Sequence, residues 1–352
     1  MHATTVGVDL AKNRFELAVA DEQLRIGRRE RLTRGRFSQY FGNHPPSLIV
    51  MEACGSAHYW ARTLQAQGHE VRLLPAQYVR AYVRRNKTDA ADAAALIEAS
   101  RCAEIRPVPI KSIDQQVLQQ LHRMREQWKH TRMSRINQLR GCLREFGIAI
   151  PIGARRGILA VREVLECADN ALPDALRPFV LELLQEIAEL EQRLQRAERM
   201  LGELTHEDRV VRELLKIPGI GPLSATALRA ALSDVQRFPS GRHFASWLGI
   251  TAREHSSGER RRLGAISKRG DVHLRTLLIH GARSVLLAAR QATKAGRSLD
   301  RLRTWALETE GRCGHNKATV ALANKIARIV WATWKHQRPF ESNWSSQPNA
   351  RH

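Results

Sequence analysis

The chain has 352 residues, 43% of them hydrophobic, enough for two or three domains with real cores and too apolar for a disordered basic tail. It carries 57 Lys and Arg against 35 Asp and Glu, a formal charge of +22 and a pI near 10.9, an excess that calls for a polyanionic partner, nucleic acid first. A membrane is excluded as the default partner, because no basic helix shows a continuous lipid-facing stripe and no run of 18 apolar residues occurs.

The first hundred residues read as α/β. TTVGVDL (4–10) is a buried strand ending near Asp9, RFELAVAD (14–21) alternates like a hairpin partner, and LRIGRRERL (24–32) can be a third strand. After the turn residues Asn43, Pro45 and Pro46, SLIVME (47–52) is a near-continuous apolar run, as in a central parallel strand. HYWARTLQAQG (58–68) reads as a helix with a glycine stop, EVRLLP (70–75) as a strand ended by proline, and a helix covers about 89–100. Three strands followed by helix and strand alternation predict a three-layer mixed sheet.

Residues 111–146 read as one long helix, or two, with eight basic residues against three acidic ones. That excess, with Trp128 interspersed, favours a phosphate-backbone contact, and Arg123, Lys129 and Arg132 are its candidates. From Leu176 to Leu204 the apolar positions are spaced 4,3,4,3,4,3,4,3, a heptad seam. Its helix starts near Pro178 and is acidic through Glu182, Glu186, Glu189 and Glu191. It reads as a coiled-coil arm joining two protomers; the alternative is a helical hairpin against 111–146 within one chain. Residues 206–335 read as a second, mostly helical domain. The expected division is therefore 1–110, 111–205, 206–335 and a polar, disordered tail over 336–352.

Asp9 closes one strand and Glu52 another. If those strands lie side by side and parallel, the two carboxylates meet at one sheet edge, where α/β folds build their sites. Asp89 and Asp92 project from one face of a helix start. Four converging carboxylates repel unless a cation sits among them, and oxygen-only ligands select Mg²⁺ or Mn²⁺, which polarises a phosphodiester. The plainer reading is a capped helix terminus at Asp89 and Asp92. Glu52 resists a plain reading, because an unpaired carboxylate at a buried strand end is costly.

LLKIPGIGPLSATAL (214–228) matches a helix-hairpin-helix, in which Gly219 and Gly221 let the backbone turn tightly and offer N–H groups to a phosphate. Downstream, nine basic and three acidic residues lie between Arg253 and Arg290. HSSGERRR places Ser256 and Ser257 before a glycine and the guanidinium groups of Arg260, Arg261 and Arg262, with Lys268 and Arg269 following. Such a serine is placed to attack phosphorus while the arginines carry the transition-state charge. Read by its chemistry alone, the stretch also fits an ordinary basic loop.

VGVDLAK, VMEACGSAHYW, NKTDAADA, IPGIGPLSA and SSGERRRLGAISKRGDVHLR, in that order between about residues 5 and 335, resemble the DEDD transposases of bacterial insertion sequences, the bridge-RNA-guided (seekRNA-guided) serine recombinases related to the Piv DNA invertase. The resemblance implies an RNase H-like (RuvC-like) N-terminal domain, a coiled-coil linker and a helical transposase domain. By similarity Asp9, Glu52, Asp89 and Asp92 hold Mg²⁺, and the serine of the Ser-Gly motif falls on Ser257, with Ser256 beside it. It further implies donor and target DNA, a structured guide RNA, a dimer or tetramer whose active sites combine two protomers, and a phosphoserine intermediate. The rivals are a RuvC-type junction-resolving nuclease that uses water, and a non-enzymatic RNA-binding scaffold. Five scattered cysteines without a CxxC, and no signal-peptide core, suit a bacterial cytoplasm, at the nucleoid.

Overall fold

The computed structural model describes residues 4–82, 89–258, 260 and 262–342, with the side chains of 89 and 90 outside that description. The chain forms two units, Met1–Ser112 and Ile113–His352, the second holding both the 111–205 linker region from residue 113 on and the 206–335 region.

In the first unit the elements run β1 (Thr5–Leu10), β2 (Arg14–Ala20), β3 (Ile26–Thr33), α1 (Arg34–Gly42), β4 (Leu48–Glu52), α2 (Ala57–Ala66), β5 (Glu70–Leu74), the short α3 (Ala76–Val79) and α4 (Asp89–Ser100). The sheet order is β3-β2-β1-β4-β5. Short links make β1–β2 and β2–β3 antiparallel, whereas α1 and α2 return the chain so that β4 and β5 run parallel to β1. The mixed sheet expected from the sequence is present.

Alternation along the strands decides which helix covers which face. Val6 and Val8 of β1 and Ile49 and Met51 of β4 meet Phe37, Phe41, Trp60 and Leu64 of α1 and α2. Edge-to-face rings build this layer, Phe15 on Phe37 at 4.6 Å and Phe37 on Trp60 at 4.9 Å. The intervening positions face α4, where Val50 joins Leu96 and Ala99, and Ala18 joins Ala93 and Ile97. Helix α1 is absent from the sequence reading because only Phe37 and Phe41 of its nine residues are buried, too few for a period to show.

The second unit contains α5 (Ile113–Glu145), α6 (Ala154–Glu166), α7 (Arg177–Thr205), α8 (Arg209–Leu215), α9 (Pro222–Ala231), α10 (Gly241–Trp247), β6 (Ala252–Glu254), β7 (Leu263–Ile266), α11 (Val272–Lys294), α12 (Arg301–Cys313) and α13 (His315–His336). Its principal core joins α8 through α13 around Leu228, Phe244, Leu278, Leu322 and Ile326. Among the described residues no helix is long and apolar enough to cross a membrane.

Most of the heptad seam of α7 is covered from within the chain, with Leu204 at its end left half exposed. Val180 and Ile187 are buried with Ile136, Leu139 and Leu143 of α5. Leu201 packs with Leu118 at the other end. The helices are antiparallel, with Arg125, Arg132 and Arg135 of α5 paired to Glu198, Glu191 and Glu186 of α7 at 2.7, 2.5 and 2.6 Å. The reading of this seam as an arm reaching a second protomer is thereby corrected. Basic α5 and acidic α7 complement each other, and seven-residue spacing reports a helical neighbour without saying which chain supplies it.

A second contact fastens α5 to α9 and α11. Thr226 of α9 donates its hydroxyl proton to the Pro222 carbonyl, so His122 Nε2 donates to Thr226 Oγ1 at 3.0 Å. The other ring nitrogen, Nδ1, is buried with no partner among the described residues. The His273 ring lies 5.4 Å away. Burial first, then the charges of His273 and Arg125, brings His122 down to about 4, while Glu126 opposes the shift.

The unfolded imidazole takes its proton near pH 6.5 and the folded one only near 4. In that window the unfolded state binds more protons, so stability is full above pH 6.5 and falls on acidification, by about 3 kcal/mol at most. His122→Gln keeps a donor for Thr226 and cannot titrate. Denaturant midpoints at pH 7.5 and 4.5 are expected to lie closer together in this variant than in the parent; equal separations would refute the assignment.

Candidate active site

The parallel register pairs Gly7 with Val50 and Val8 with Met51. One step further along both strands stand Asp9 and Glu52, half-buried neighbours at the carboxyl ends of β1 and β4. Alternation puts them on the face of Gly7 and Val50, the one covered by α4. The half-buried Cys54 thiol responds to both: burial pushes its pKa up first, then the charges of Glu52 and Asp9.

Gly7 controls how closely α4 approaches. A Cβ there would stand 2.3 Å from the carbonyl oxygen of Ala93 and 2.9 Å from the Ile97 side chain. Only a residue without Cβ allows this contact. Asp92, half-buried, immediately precedes Ala93 and is therefore carried over the strand that ends in Asp9. Helix α4 begins at Asp89, whose side chain lies outside the described residues. Asp9, Glu52 and Asp92 offer only oxygen donors, the kind a hard divalent cation takes, but in this structure the three are not gathered within metal-holding distance of one another. Among the described residues no three His, Cys, Asp or Glu side chains are close enough together to hold a metal ion.

Ser256 and Ser257 sit on a hairpin closing β6 and β7. The Ser256 hydroxyl donates to Glu254 Oε1 at 2.7 Å and accepts from the Arg262 backbone N–H at 3.2 Å. It is a brace of the turn. Ser257 pairs with Arg260 through backbone alone, its N–H reaching the Arg260 carbonyl at 3.4 Å, and its exposed hydroxyl has no hydrogen bond among the described residues. Gly258 follows with φ +56. Arg260 and Arg262 flank the turn in solvent, and Arg261 lies outside the described residues.

The base of the hairpin is fixed by two glycines and a buried arginine. A Cβ on Gly270 would meet the Trp247 carbonyl oxygen at 2.2 Å, and Gly249 has φ +72. Arg275, 8% exposed, donates to the Gly270 carbonyl at 3.1 Å. Sequence reasoning counted Arg275 only as part of the positive excess, and the positioning roles of Arg275 and Glu254 leave no signal in the sequence. Lys268, with φ +56, and Arg269 leave this base exposed.

The IPGIG turn connects α8 to α9, with Gly219 at φ +86. A Cβ on Gly281 of α11 would lie 1.9 Å from the Gly219 carbonyl oxygen, so Gly219 lies against α11, whereas Gly221 is the exposed N-cap of α9. On α5, Arg123 is exposed without an ion pair among the described residues, Lys129 pairs with Glu126, and Arg132 pairs with Glu191.

Two family models match: the DEDD transposase model of the IS110 type over residues 6–148, and the model described as Transposase IS116/IS110/IS902 family over residues 211–296. A probable family 20 transposase of Pseudomonas aeruginosa is 42% identical over 94% of this chain and 97% of its own length. The transposase for insertion sequence element IS1111A of Coxiella burnetii is 34% identical over 95% and 90%. The pilin gene-inverting protein of Moraxella bovis is 23% identical over 97% and 98%.

Gly7→Ala is expected to destabilise the first unit by roughly 1–3 kcal/mol, since the clash is with backbone that cannot swing away. Gly27→Ala, with nothing within 4 Å of the new methyl, serves as the comparison and should shift the unfolding midpoint little. Similar midpoints for the two variants would contradict the close approach of α4 to β1.

Proposed function

The chain belongs to the IS116/IS110/IS902 family of transposases, and on that premise we propose that it cuts and rejoins DNA through a covalent phosphoserine at Ser257. The observation that carries the reading is the shared α4-covered face of Asp9 and Glu52 at adjacent strand ends. The sheet order supports an RNase H-like reading of the first unit. In the proposal Asp9, Glu52, Asp89 and Asp92 hold Mg²⁺ or Mn²⁺. When bound, the ion supplies Lewis-acid stabilisation of charge developing on the phosphate oxygens.

Ser257 Oγ forms the new O–P bond as the bond to one DNA oxygen breaks; that oxygen leaves with a proton as a free hydroxyl. Its hydroxyl, without a hydrogen bond among the described residues, supports Ser257, and not Ser256, as the attacking group. Arg260 and Arg262 stand beside the turn, placed to neutralise phosphate oxygens. In the return step a DNA hydroxyl attacks the phosphoserine phosphorus and expels Ser257. The phosphodiester energy is conserved, so no nucleotide cofactor is needed.

The gene-inverting activity named for the Moraxella relative fits a cut-and-rejoin reaction. A structured guide RNA that pairs with donor and target DNA belongs to this reading and is supported by the charge of +22. So does a homo-oligomer in which the serine of one copy serves the carboxylates of another. With the α7 seam occupied by α5, the contact between copies is sought elsewhere.

The test incubates the protein and its co-purified RNA with a plasmid carrying the element's own termini, followed by a denaturing gel. The parent should give a covalent protein–DNA adduct that EDTA abolishes. Ser257→Ala should bind DNA and give none, Ser256→Ala should keep a reduced amount, and Asp92→Asn should give none while remaining folded. Strand cleavage by Ser257→Ala without an adduct would replace the serine by water and favour the junction-resolving nuclease.

A further inference from the structure

The second unit contains a groove of about 2090 Å³ that the proposed chemistry leaves unused. Small-molecule sites are roughly 300–1,000 Å³, so its volume suits part of a polymer. Helices α10, α12 and α13, the hairpin and residues 338–342 form its walls.

Arg242, Arg301, Lys317, Lys325, Arg328 and Arg338 line it, against the single carboxylate of Glu341. Among the described residues none of these six cations forms an ion pair. The contrast with α5 is informative, since there Arg125, Arg132 and Arg135 each have a carboxylate. Six like charges are gathered in the groove with Glu341 the one carboxylate among its described lining residues, an excess that an anionic occupant would answer. Lys325 records the strain: burial first, then Arg301 and Arg328, lowers its pKa. Its Nζ sits 4.0 Å over the Trp305 ring, an aromatic face standing in for an anion.

The floor is apolar. Trp305, Ile329, Trp331 and Phe340 lie among the cations. The indole N–H of Trp331 donates to the Phe238 carbonyl at 3.2 Å, which fixes that ring. Cations beside fixed aromatic faces match a ligand with phosphates and flat bases together. A duplex hides its base faces and would leave the floor unused, and an acidic peptide does not carry a flat ring beside each of its charges, as a nucleic-acid strand does. Ala252, Gly264, Ala265 and Ile266 of β6 and β7 form one wall, so an occupant runs alongside the strands whose turn carries Ser257.

We propose that this groove holds an unpaired nucleic-acid strand, phosphates on Arg301, Lys317 and Arg328 and bases against Trp305 and Trp331. The choice of nucleic acid among polyanions rests on the transposase reading; the groove itself does not depend on Ser257 acting as nucleophile.

The experiment is fluorescence anisotropy of the full chain with a labelled 15-nucleotide DNA strand, the same sequence as RNA, and the matched duplex, each over a range of KCl. The exposed triple Arg301→Gln/Lys317→Gln/Arg328→Gln should weaken strand binding at least about 10-fold and reduce the log–log salt slope by roughly 2. A control triple, Arg199→Gln/Arg209→Gln/Arg212→Gln, removes the same charge outside the groove and should weaken it far less. Trp305→Leu should weaken strand binding about 10-fold and duplex binding little. Equal losses in the two triples, or equal losses for strand and duplex, would overturn the proposal, as would displacement of the strand by polyglutamate with Trp305→Leu binding normally. The stronger of the two single strands identifies the source as DNA or RNA. Adduct formation measured in parallel separates the two readings: parent binding lost in the groove triple without any Ser257 adduct faults the chemistry alone, whereas a normal adduct with unchanged strand binding in that triple faults the groove alone.

Discussion

A missing side chain at Gly7 governs the N-terminal unit. Helix α4 rests its Ala93 carbonyl where any other residue would place Cβ, and the carboxylate of Asp92 is thereby brought over the strand that ends at Asp9. The opposite face shows the reverse strategy. Phe15, Phe37, Phe41 and Trp60 fill a thick aromatic layer under α1 and α2, giving a rigid back against which the strand ends are held. One face is thick and aromatic, the other is thin and packed with small and aliphatic residues, and Asp9 and Glu52 stand at the strand ends on the thin one.

The second unit is organised by where its positive charge is answered. Along α5 it meets the carboxylates of α7, and each pair is partly exposed, so these contacts set register more than they add stability. On the groove-lining side of α12 and α13, at Arg301, Lys317, Lys325 and Arg328, it has no carboxylate partner among the described residues. A total of +22 is therefore a poor guide to where a polyanion docks, since part of it is neutralised at home.

The serine hairpin combines stiffness and freedom. Gly249, Gly270 and Arg275 pin its base, and Ser256 braces its turn through Glu254. Only Ser257, next to a glycine in the left-handed region, is left with a hydroxyl free of local duties among the described residues. A nucleophile needs this combination, since an anchored hydroxyl is already satisfied and a wholly mobile one is poorly aimed.

The sequence by itself determined the five strands of the first unit and the long helices α5 and α7, because alternation and apolar runs are local, and it placed Asp9 beside Glu52 on the condition of parallel neighbouring strands, which the register supplies. It missed α1, α6 and the β6–β7 hairpin: α1 buries only two aromatic residues, the amphipathic stripe of α6 went unread between the two long helices, and the two short strands are almost wholly exposed, so no alternation marks them. Tertiary structure alone decided that α7 folds back on α5, that Gly7 and Gly281 are points of backbone contact, and that the Ser256 hydroxyl is tied whereas that of Ser257 has no hydrogen bond among the described residues. The reason is physical. Periodicity states that a face is covered, whereas the identity of the covering element, and the distance at which it sits, depend on residues tens to hundreds of positions away.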